Sequence, residues 1–126
     1  MLGDKDATAT IAVRDMDVAK DFYEGILGLE RAGMEDPGGI LYTSGTSRVL
    51  VYMSEYAGTN QATAVSWAVG DDVEGVVEAL KQRGVTFERY DNLPGTTREG
   101  DIHRFGDFKA AWFKDPDGNI LNIVNQ

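Results

Sequence analysis

The chain has 126 residues, enough for one domain with its own core, and 42% hydrophobic and 26% charged residues are typical of a soluble globular protein. Its net charge of −9 argues against nucleic acid as a partner, because phosphate binding needs a dense surface of Lys and Arg. No stretch approaches the roughly 18 apolar residues of a membrane span, so we expect no membrane partner. The lack of cysteine excludes thiolate metal sites and fits a cytoplasmic protein.

The first half of the chain predicts a strand, a helix and further strands. Ala7–Val13 is rich in small and β-branched residues and predicts a strand. Asp15 is placed to cap a helix that Gly28 ends, and shorter strands are predicted at Ile40–Thr43 and Arg48–Met53. The apolar side of the helix consists of Val18, Ala19, Phe22, Tyr23, Ile26 and Leu27.

The second half repeats this pattern about 56 residues later. Ala64–Val69 predicts a strand, Asp71 and Glu74 resemble a capping box, and Gly84 closes the helix that follows. The buried stripe of that helix consists of Val73, Val76, Val77 and Leu80. Three more strands are predicted, at Val85–Arg89, Lys109–Lys114 and Asn119–Asn125.

Each half therefore has the order strand–helix–strand–strand–strand. Two helices beside a mostly antiparallel sheet indicate an α+β domain. We expect one domain over 1–126, made of a module at 7–56 and a second module at 62–126.

The segment DPDGN, residues 115–119, has two interpretations. Its alternating carboxylate and amide oxygens resemble a calcium loop, but that loop needs Gly at its sixth position and an acid at its twelfth. Those positions hold Ile120 and Gln126, and strands flank the segment. The Pro and the Gly within it are typical of a turn, so we predict a hairpin.

Three segments resemble the vicinal oxygen chelate superfamily, which contains glyoxalases, bleomycin-resistance proteins and extradiol dioxygenases. VRDMDVAKDFYEGILGLE (Val13–Glu30) and DDVEGVVEALKQRGV (Asp71–Val85) are similar to its two helices. WFKDPDGNILNIV (Trp112–Val124) is similar to its closing hairpin. The resemblance implies two βαβββ modules that form a cup-shaped mixed, mostly antiparallel sheet, with the helices outside the cup.

Metal-using members of this superfamily hold the ion with four side chains. One, usually His or Gln, lies early on the first strand of each half, and a Glu lies near the last strand of each half. The matching positions here fall on Thr8 (with Thr10 as the other inward candidate), Ala64 or Val65, the run Val49–Met53, and Asn122.

These residues do not make the ligand set that zinc, iron or nickel require. His103 is the chain's one histidine, so a two-His, one-carboxylate iron centre within one chain is impossible. Because these ligands are missing, we predict no extradiol dioxygenase activity, no metal and no cofactor.

An apolar pocket with a few polar groups remains in the predicted cup. Its candidate ligand-binding residues are Thr8, Thr10, Tyr52, Trp67, Trp112 and Asn122. Trp67 is alternatively a core residue, and Asn122 is alternatively a buried amide satisfied by backbone groups.

The polar segment Asp91–Asp107 predicts a loop or flap over the mouth of the pocket. Within it, His103 is a candidate general base, because imidazole titrates near neutrality. The alternative interpretation is a solvated loop histidine without a catalytic role.

The leading hypothesis is a metal-independent protein that binds a small molecule and sequesters an antibiotic or an aromatic metabolite. The alternatives are a lyase, isomerase or glyoxalase-like enzyme that uses His103 or an unrecognised metal site, and a structural or regulatory partner. Members of this superfamily often pair two chains so that their cups complete each other, so we expect a homodimer.

Overall fold

The first half of the chain folds into a four-stranded sheet with one helix. The computed structural model describes residues 1–36 and 38–126, with the backbone alone at residues 34–36. The elements of this half are β1 (Ala9–Val13), α1 (Met16–Lys20), β2 (Glu30–Asp36), β3 (Gly39–Ser44) and β4 (Ser47–Met53). Helix α1 continues as a π-helical turn at Asp21–Ile26. The strand order is β1-β4-β3-β2, with β1 parallel to β4 and the other pairs antiparallel.

The second half repeats this arrangement with two more strands. Its elements are β5 (Thr63–Ala68), α2 (Val73–Gln82), β6 (Phe87–Glu88), β7 (Thr97–Glu99), β8 (Ile102–Phe105), β9 (Phe108–Lys114) and β10 (Ile120–Val124). The order is β5-β10-β9-β8-β7, and only β5 and β10 are parallel. The predicted α+β fold with mostly antiparallel strands is confirmed.

The segment Asp91–Asp107 differs from its prediction as a loop. Two strands, β7 and β8, form a hairpin within it. Strand β6 pairs with β9 only at Phe113 and Trp112, so the rest of that edge of β9 is available to β8. The prediction was wrong because local polarity does not reveal the unpaired edge of β9, with which β8 pairs across the turn at residues 106–107.

Both helices were predicted to start at a capping aspartate, but only the first helix has such a cap. Asp15 Oδ1 accepts hydrogen bonds from the backbone N–H groups of Asp17 (3.0 Å) and Val18 (3.3 Å), as an N-cap does. The second helix begins after Asp72 instead of Asp71, and Asp72 makes no side-chain cap. The predicted capping box is therefore wrong, and Glu74 Oε1 instead accepts from Lys109 Nζ at 2.8 Å.

One hydrophobic core joins the two halves. Strand alternation turns one face of each sheet toward the helices, and Phe22 of the π-helical turn contacts Phe113 of β9 at a ring distance of 6.4 Å. We call this side of each sheet the helix face and the opposite side the cup face. The buried strand residues of the helix face are Ile11, Val13, Ile40, Tyr42, Val49, Val51, Ala111, Phe113, Leu121 and Ile123.

The predicted hairpin at residues 115–119 is confirmed, and it connects the two halves. Lys114 pairs with Ile120 across it, and the Gly118 N–H donates to the Asp115 carbonyl at 3.0 Å. Asn119 Nδ2 donates to the carbonyl of Ala12 on β1 at 2.7 Å. The polar residues of the motif therefore serve protein contacts.

Among the residues that the structure describes, no helix has the length and apolar character needed to cross a membrane.

Candidate functional site

Trp112 and Asn122 lie side by side on the cup face of the second sheet. Asn122 on β10 pairs with Trp112 of β9 on one side and with Ser66 of β5 on the other. Cross-strand partners point to the same face of a sheet, so these three side chains form one row. The neighbouring pair Leu121 and Phe113 points to the helix face and is buried.

Asn122 carries a buried hydrogen-bond acceptor without a donor. Its side chain is 6% exposed, and Oδ1 has no hydrogen-bond partner among the described residues. Buried polar groups nearly always find a partner, so an unpaired one indicates that something else satisfies it. The oxygen belongs to the position that the family resemblance assigns to a glutamate ligand.

Trp112 is the centre of an aromatic cluster next to Asn122. Its half-buried indole meets Tyr90 edge to face at 5.5 Å and His103 at 5.0 Å, with interplanar angles of 78° and 82°. Its Nε1–H donates to Thr63 Oγ1 at 3.0 Å. Edge-to-face pairs each add about 1 kcal/mol beyond the area they bury, so the cluster holds the indole in one orientation.

A cavity of about 710 Å³ opens in front of this cluster. Its walls are residues 61–63 together with Glu88, Tyr90, Leu93, Trp112, Lys114 and Ile120. Glu88 and Lys114 face each other at 3.5 Å, so their charges offset each other at the wall. Burial raises the pKa of Tyr90, and the Glu88 carboxylate raises it further, so the phenol stays protonated at neutral pH. The surface is therefore aromatic and without net charge.

His103 is a buried strand residue, which corrects its interpretation as a solvated loop histidine. It lies on β8 with 0% exposure, because β8 takes the free edge of β9 and turns the ring toward Trp112. Nε2 accepts the backbone N–H of Tyr90 at 2.9 Å, which requires the neutral ring. Burial also lowers the pKa of the His103 imidazole, which agrees with a neutral ring. Neither nitrogen faces solvent, so the ring's present role is to support Tyr90 and Trp112.

The buried imidazole predicts a loss of stability in mild acid. Since burial lowers the folded-state pKa below the ordinary 6.5, the unfolded chain binds the proton first, and stability falls as the pH drops through 6.5 toward the folded-state value. The unfolding temperature measured by circular dichroism should therefore be lower at pH 5.5 than at pH 7.5.

His103→Gln is the matched control, because glutamine keeps polar atoms and does not titrate. It should remove most of this acid step. Glu24, Asp101 and Glu74 have lowered pKa values, so they titrate below the ordinary carboxylate range and outside this window. Burial of Glu24 is outweighed by hydrogen bonds from Tyr42 and Arg31, and burial of Asp101 by hydrogen bonds from Lys81 and Arg89. The hydrogen bond from Lys109 lowers the pKa of Glu74. Equal acid steps in both proteins would contradict the prediction.

The other predicted site residues lie elsewhere. Thr10 and Tyr52 are exposed on the cup face of the first sheet, and Thr8 is exposed just before β1. Trp67 points to the helix face, because it pairs with Ile123. The structure thus brings together only Trp112 and Asn122 of the six predicted residues.

Sequence analysis missed much of the wall of this pocket. Tyr90 and Leu93 follow the two-residue strand β6, and Glu88 pairs with Trp112 across β9. The sequence did contain a signal for this strand, because a large apolar residue, Phe87, is followed by a charged one, Glu88. Such alternation predicts that Phe87 packs in the core and that Glu88 points to the opposite face.

The side chains at the family's metal positions do not fit a transition-metal ion. In the first sheet, Val49 and Val51 are buried in the core, while Leu50 and Tyr52 point the other way and carry no carboxylate. Among the side chains that the structure describes, at residues 1–33 and 38–126, no three of His, Cys, Asp or Glu converge. The cup-face neighbour of Asn122 on β5 is Ser66, which lies two residues beyond Ala64. Hydroxyls and one amide are poor ligands for zinc, iron or nickel.

Comparison with known proteins places the fold. The family model described as the glyoxalase/bleomycin resistance protein/dioxygenase superfamily matches residues 7–123. No curated protein matches the chain.

Solved structures match over nearly the whole chain. An integron cassette protein from the mobile metagenome of Halifax Harbour sewage outfall is 17% identical, with 98% of this chain and 99% of that chain covered and a TM-score of 0.71. A superfamily member from Sphaerobacter thermophilus is 24% identical, with 98% of each chain covered and a TM-score of 0.67. The fosfomycin resistance protein of Listeria monocytogenes is 14% identical, with 100% of this chain and 93% of that chain covered and a TM-score of 0.67. The chain belongs to the glyoxalase/bleomycin resistance protein/dioxygenase superfamily.

Proposed function

We propose that this protein binds a small molecule without a metal and sequesters it, as an antibiotic or an aromatic metabolite, in the cup-face pocket of its second sheet. The observation that carries the proposal is the pair of edge-to-face rings, Trp112 and Tyr90, in the wall of a 710 Å³ cavity. Ligand sites of this size are typically apolar and aromatic with a few polar groups.

The chemistry of the wall defines the ligand. The indole and phenol rings favour a flat molecule, which gains about 1 kcal/mol from ring contact beyond its buried area. The Glu88–Lys114 pair leaves the wall neutral, and the net charge of −9 disfavours anions. The buried Asn122 oxygen lies next to Trp112 but outside the residues that line the cavity, so it sets no requirement on the ligand. We therefore expect a neutral or cationic ligand.

A second copy of the chain is the proposed partner. Tyr52, Met53 and Tyr56 are 37%, 44% and 70% exposed, which leaves a large apolar surface uncovered near the cup face of the first sheet. In a homodimer this surface would close the open side of the pocket of the other copy. Sedimentation velocity tests it, because a single monomeric species at micromolar concentration would contradict the dimer. With no cysteine in the chain, we propose that it acts in the cytoplasm.

The binding function is tested by thermal shift against planar antibiotics and aromatic metabolites, because a ligand of the native state raises the unfolding temperature. For a compound that binds, Trp112→Ala should raise the Kd by roughly ten-fold or more, since it removes the ring wall. Val18→Ala is the control, because Val18 is a 44% exposed apolar residue that belongs neither to the pocket nor to the proposed dimer surface. The Kd should be unchanged by EDTA.

Two outcomes would contradict the proposal. The first is a Kd that depends on EDTA or on added zinc, nickel or iron, which would mean that a metal takes part. The second is an equal Kd for wild type and Trp112→Ala, which would place the ligand outside this pocket.

A further inference from the structure

A second cavity, of about 460 Å³, lies on the other side of the second sheet, between the two halves of the chain. The first half contributes residues 27–30, after the π-helical turn, and residues 43–45, at the end of β3. The second half contributes Trp67, Val69, Val76, Leu80, Phe113 and Ile123. No residue lines both this cavity and the cup-face pocket. We call it the inter-half cavity.

The two spaces are separated by the sheet itself. Trp67 pairs with Ile123, and both line the inter-half cavity, whereas their chain neighbours Ser66 and Asn122 point to the cup face. A molecule in one space cannot touch the indole that lines the other. The chain has two tryptophans, and each space contains one of them.

The walls are mainly apolar, with one hydroxyl available to a ligand. Trp67 Nε1–H donates to Ser44 Oγ at 2.8 Å, which connects the two halves at the wall of the cavity. Because Ser44 Oγ accepts that bond, its own hydrogen is left to donate, and it has no acceptor among the described residues. The Thr43 hydroxyl is already used, since it donates to the Glu30 carbonyl at 3.2 Å.

The charge of the wall excludes one class of ligand. Glu30 is exposed and contributes the cavity's one charged side chain among the described lining residues. A carboxylate beside an apolar cavity repels anions, and the net charge of −9 acts in the same direction. A neutral molecule is favoured over a phosphate or a carboxylate.

We propose that the inter-half cavity is a second small-molecule site, which takes a neutral aromatic molecule of one or two rings with an oxygen acceptor for the Ser44 hydroxyl. Trp67 and Phe113 supply the ring contacts, and 460 Å³ lies within the range of ligand pockets. The ligand contacts both halves at once. It is therefore expected to raise the stability of the whole fold and to do so without occupying the cup-face pocket.

The test follows the two indole N–H signals in ¹H–¹⁵N spectra of the full chain while 2-naphthol is added. Each signal is assigned with Trp67→Phe or Trp112→Phe. The proposal predicts that the Trp67 signal shifts and saturates, whatever happens to the Trp112 signal. Ser44→Ala should weaken this binding about five-fold, which is the effect of one hydrogen bond.

Val76→Phe fills the cavity and should abolish the Trp67 shift. Ala79→Phe is the matched control, because it places the same ring on the exposed side of α2 and should leave the shift intact. If Val76→Phe does not fold, Val69→Leu adds one methylene from the strand side and should still weaken binding.

Three results would overturn the proposal: a Trp67 signal that does not move up to the solubility of 2-naphthol, movement of the Trp112 signal alone, or a Trp67 shift that Val76→Phe and Val69→Leu both retain. A Trp67 signal that changes with protein concentration without naphthol would also overturn it, because a second copy would then cover the cavity. Of these results, only movement of the Trp112 signal alone bears on the cup-face pocket, where it would indicate binding of 2-naphthol. The Trp112→Ala variant tests binding in that pocket separately.

Discussion

Replacing Asp115 with alanine is expected to lower the free energy of unfolding by about 4 kcal/mol. This carboxylate is 4% exposed and accepts four hydrogen bonds. The donors are Tyr23 Oη (2.6 Å), Asn119 Nδ2 (2.8 Å), and the backbone N–H groups of Asn119 (2.8 Å) and Asp117 (2.9 Å). Alanine leaves these buried donors without an acceptor, which costs more than the bonds themselves contribute.

Tyr23 is the donor that makes Asp115 matter to the whole fold. It lies in the π-helical turn of the first half with 0% exposure, whereas Asp115 begins the hairpin of the second half. Burial raises the Tyr23 pKa, and the Asp115 carboxylate raises it further, so the phenol remains a donor at any pH at which the protein folds. The bond therefore holds the two halves together.

Urea denaturation at pH 7 measures the loss, with Asp117→Ala as the matched control. Asp117 is a carboxylate in the same turn, but it is partly exposed and accepts one long bond, from the Arg14 N–H at 3.3 Å. Its removal should cost below about 1 kcal/mol. Tyr23→Phe removes one donor and keeps the ring, so it should cost about 1 to 2 kcal/mol. Comparable losses for Asp115→Ala and Asp117→Ala would show that the turn does not connect the halves.

The row of Trp112 and Asn122 was within reach of the sequence. The turn at 115–119 fixes the hairpin register, because Lys114 then pairs with Ile120. Two residues farther from the turn on each strand, Trp112 pairs with Asn122, and period-two alternation places both side chains on one face of the sheet. Short hairpins are predictable in this way, since the turn and both strands are adjacent in the chain.

The face of Trp67 was not predictable, for a reason that is also physical. Strand β5 pairs with β10, whose residues lie more than fifty positions later in the chain, and the register shifts between Ile120 and Leu121. A slip of one residue reverses every side chain of a strand. Local sequence contains no information on such a register, so Trp67 was compatible with either side of the sheet.

His103 illustrates a different limit. The segment around it is polar and contains glycines, which is typical of a loop. It became a strand because β6 covers only two residues of β9 and leaves the rest of that edge unpaired. An unpaired backbone edge is satisfied by whatever segment reaches it. Pairing with the adjacent strand β9, across the turn at residues 106–107, thus buried the histidine that composition predicted to be in solvent.

Replacing Gly58 with alanine is expected to lower the free energy of unfolding by about 3 kcal/mol, through two separate effects. Its φ of +71° lies in the left-handed region, where a Cβ costs about 1 to 2 kcal/mol. That Cβ would also overlap the carbonyl oxygen of Asp117 in the hairpin. Backbone cannot move aside as a flexible side chain does, so the hairpin must shift, which adds a further 1 to 3 kcal/mol.

Gly28→Ala separates these effects, because Gly28 has a similar φ of +76° and open space around its Cβ. Gly28→Ala should lower the free energy of unfolding only through the cost of the left-handed backbone conformation, which is about 1 kcal/mol. The Gly58 N–H also donates to Asn119 Oδ1 at 3.3 Å, so displacement of the hairpin weakens the network that holds Asp115. The double variant Gly58→Ala/Asp115→Ala should therefore lose less than the sum of the two single variants. Strict additivity in urea denaturation, or equal losses for the two glycine variants, would mean that the hairpin accommodates the methyl group without disturbing the contact between the halves.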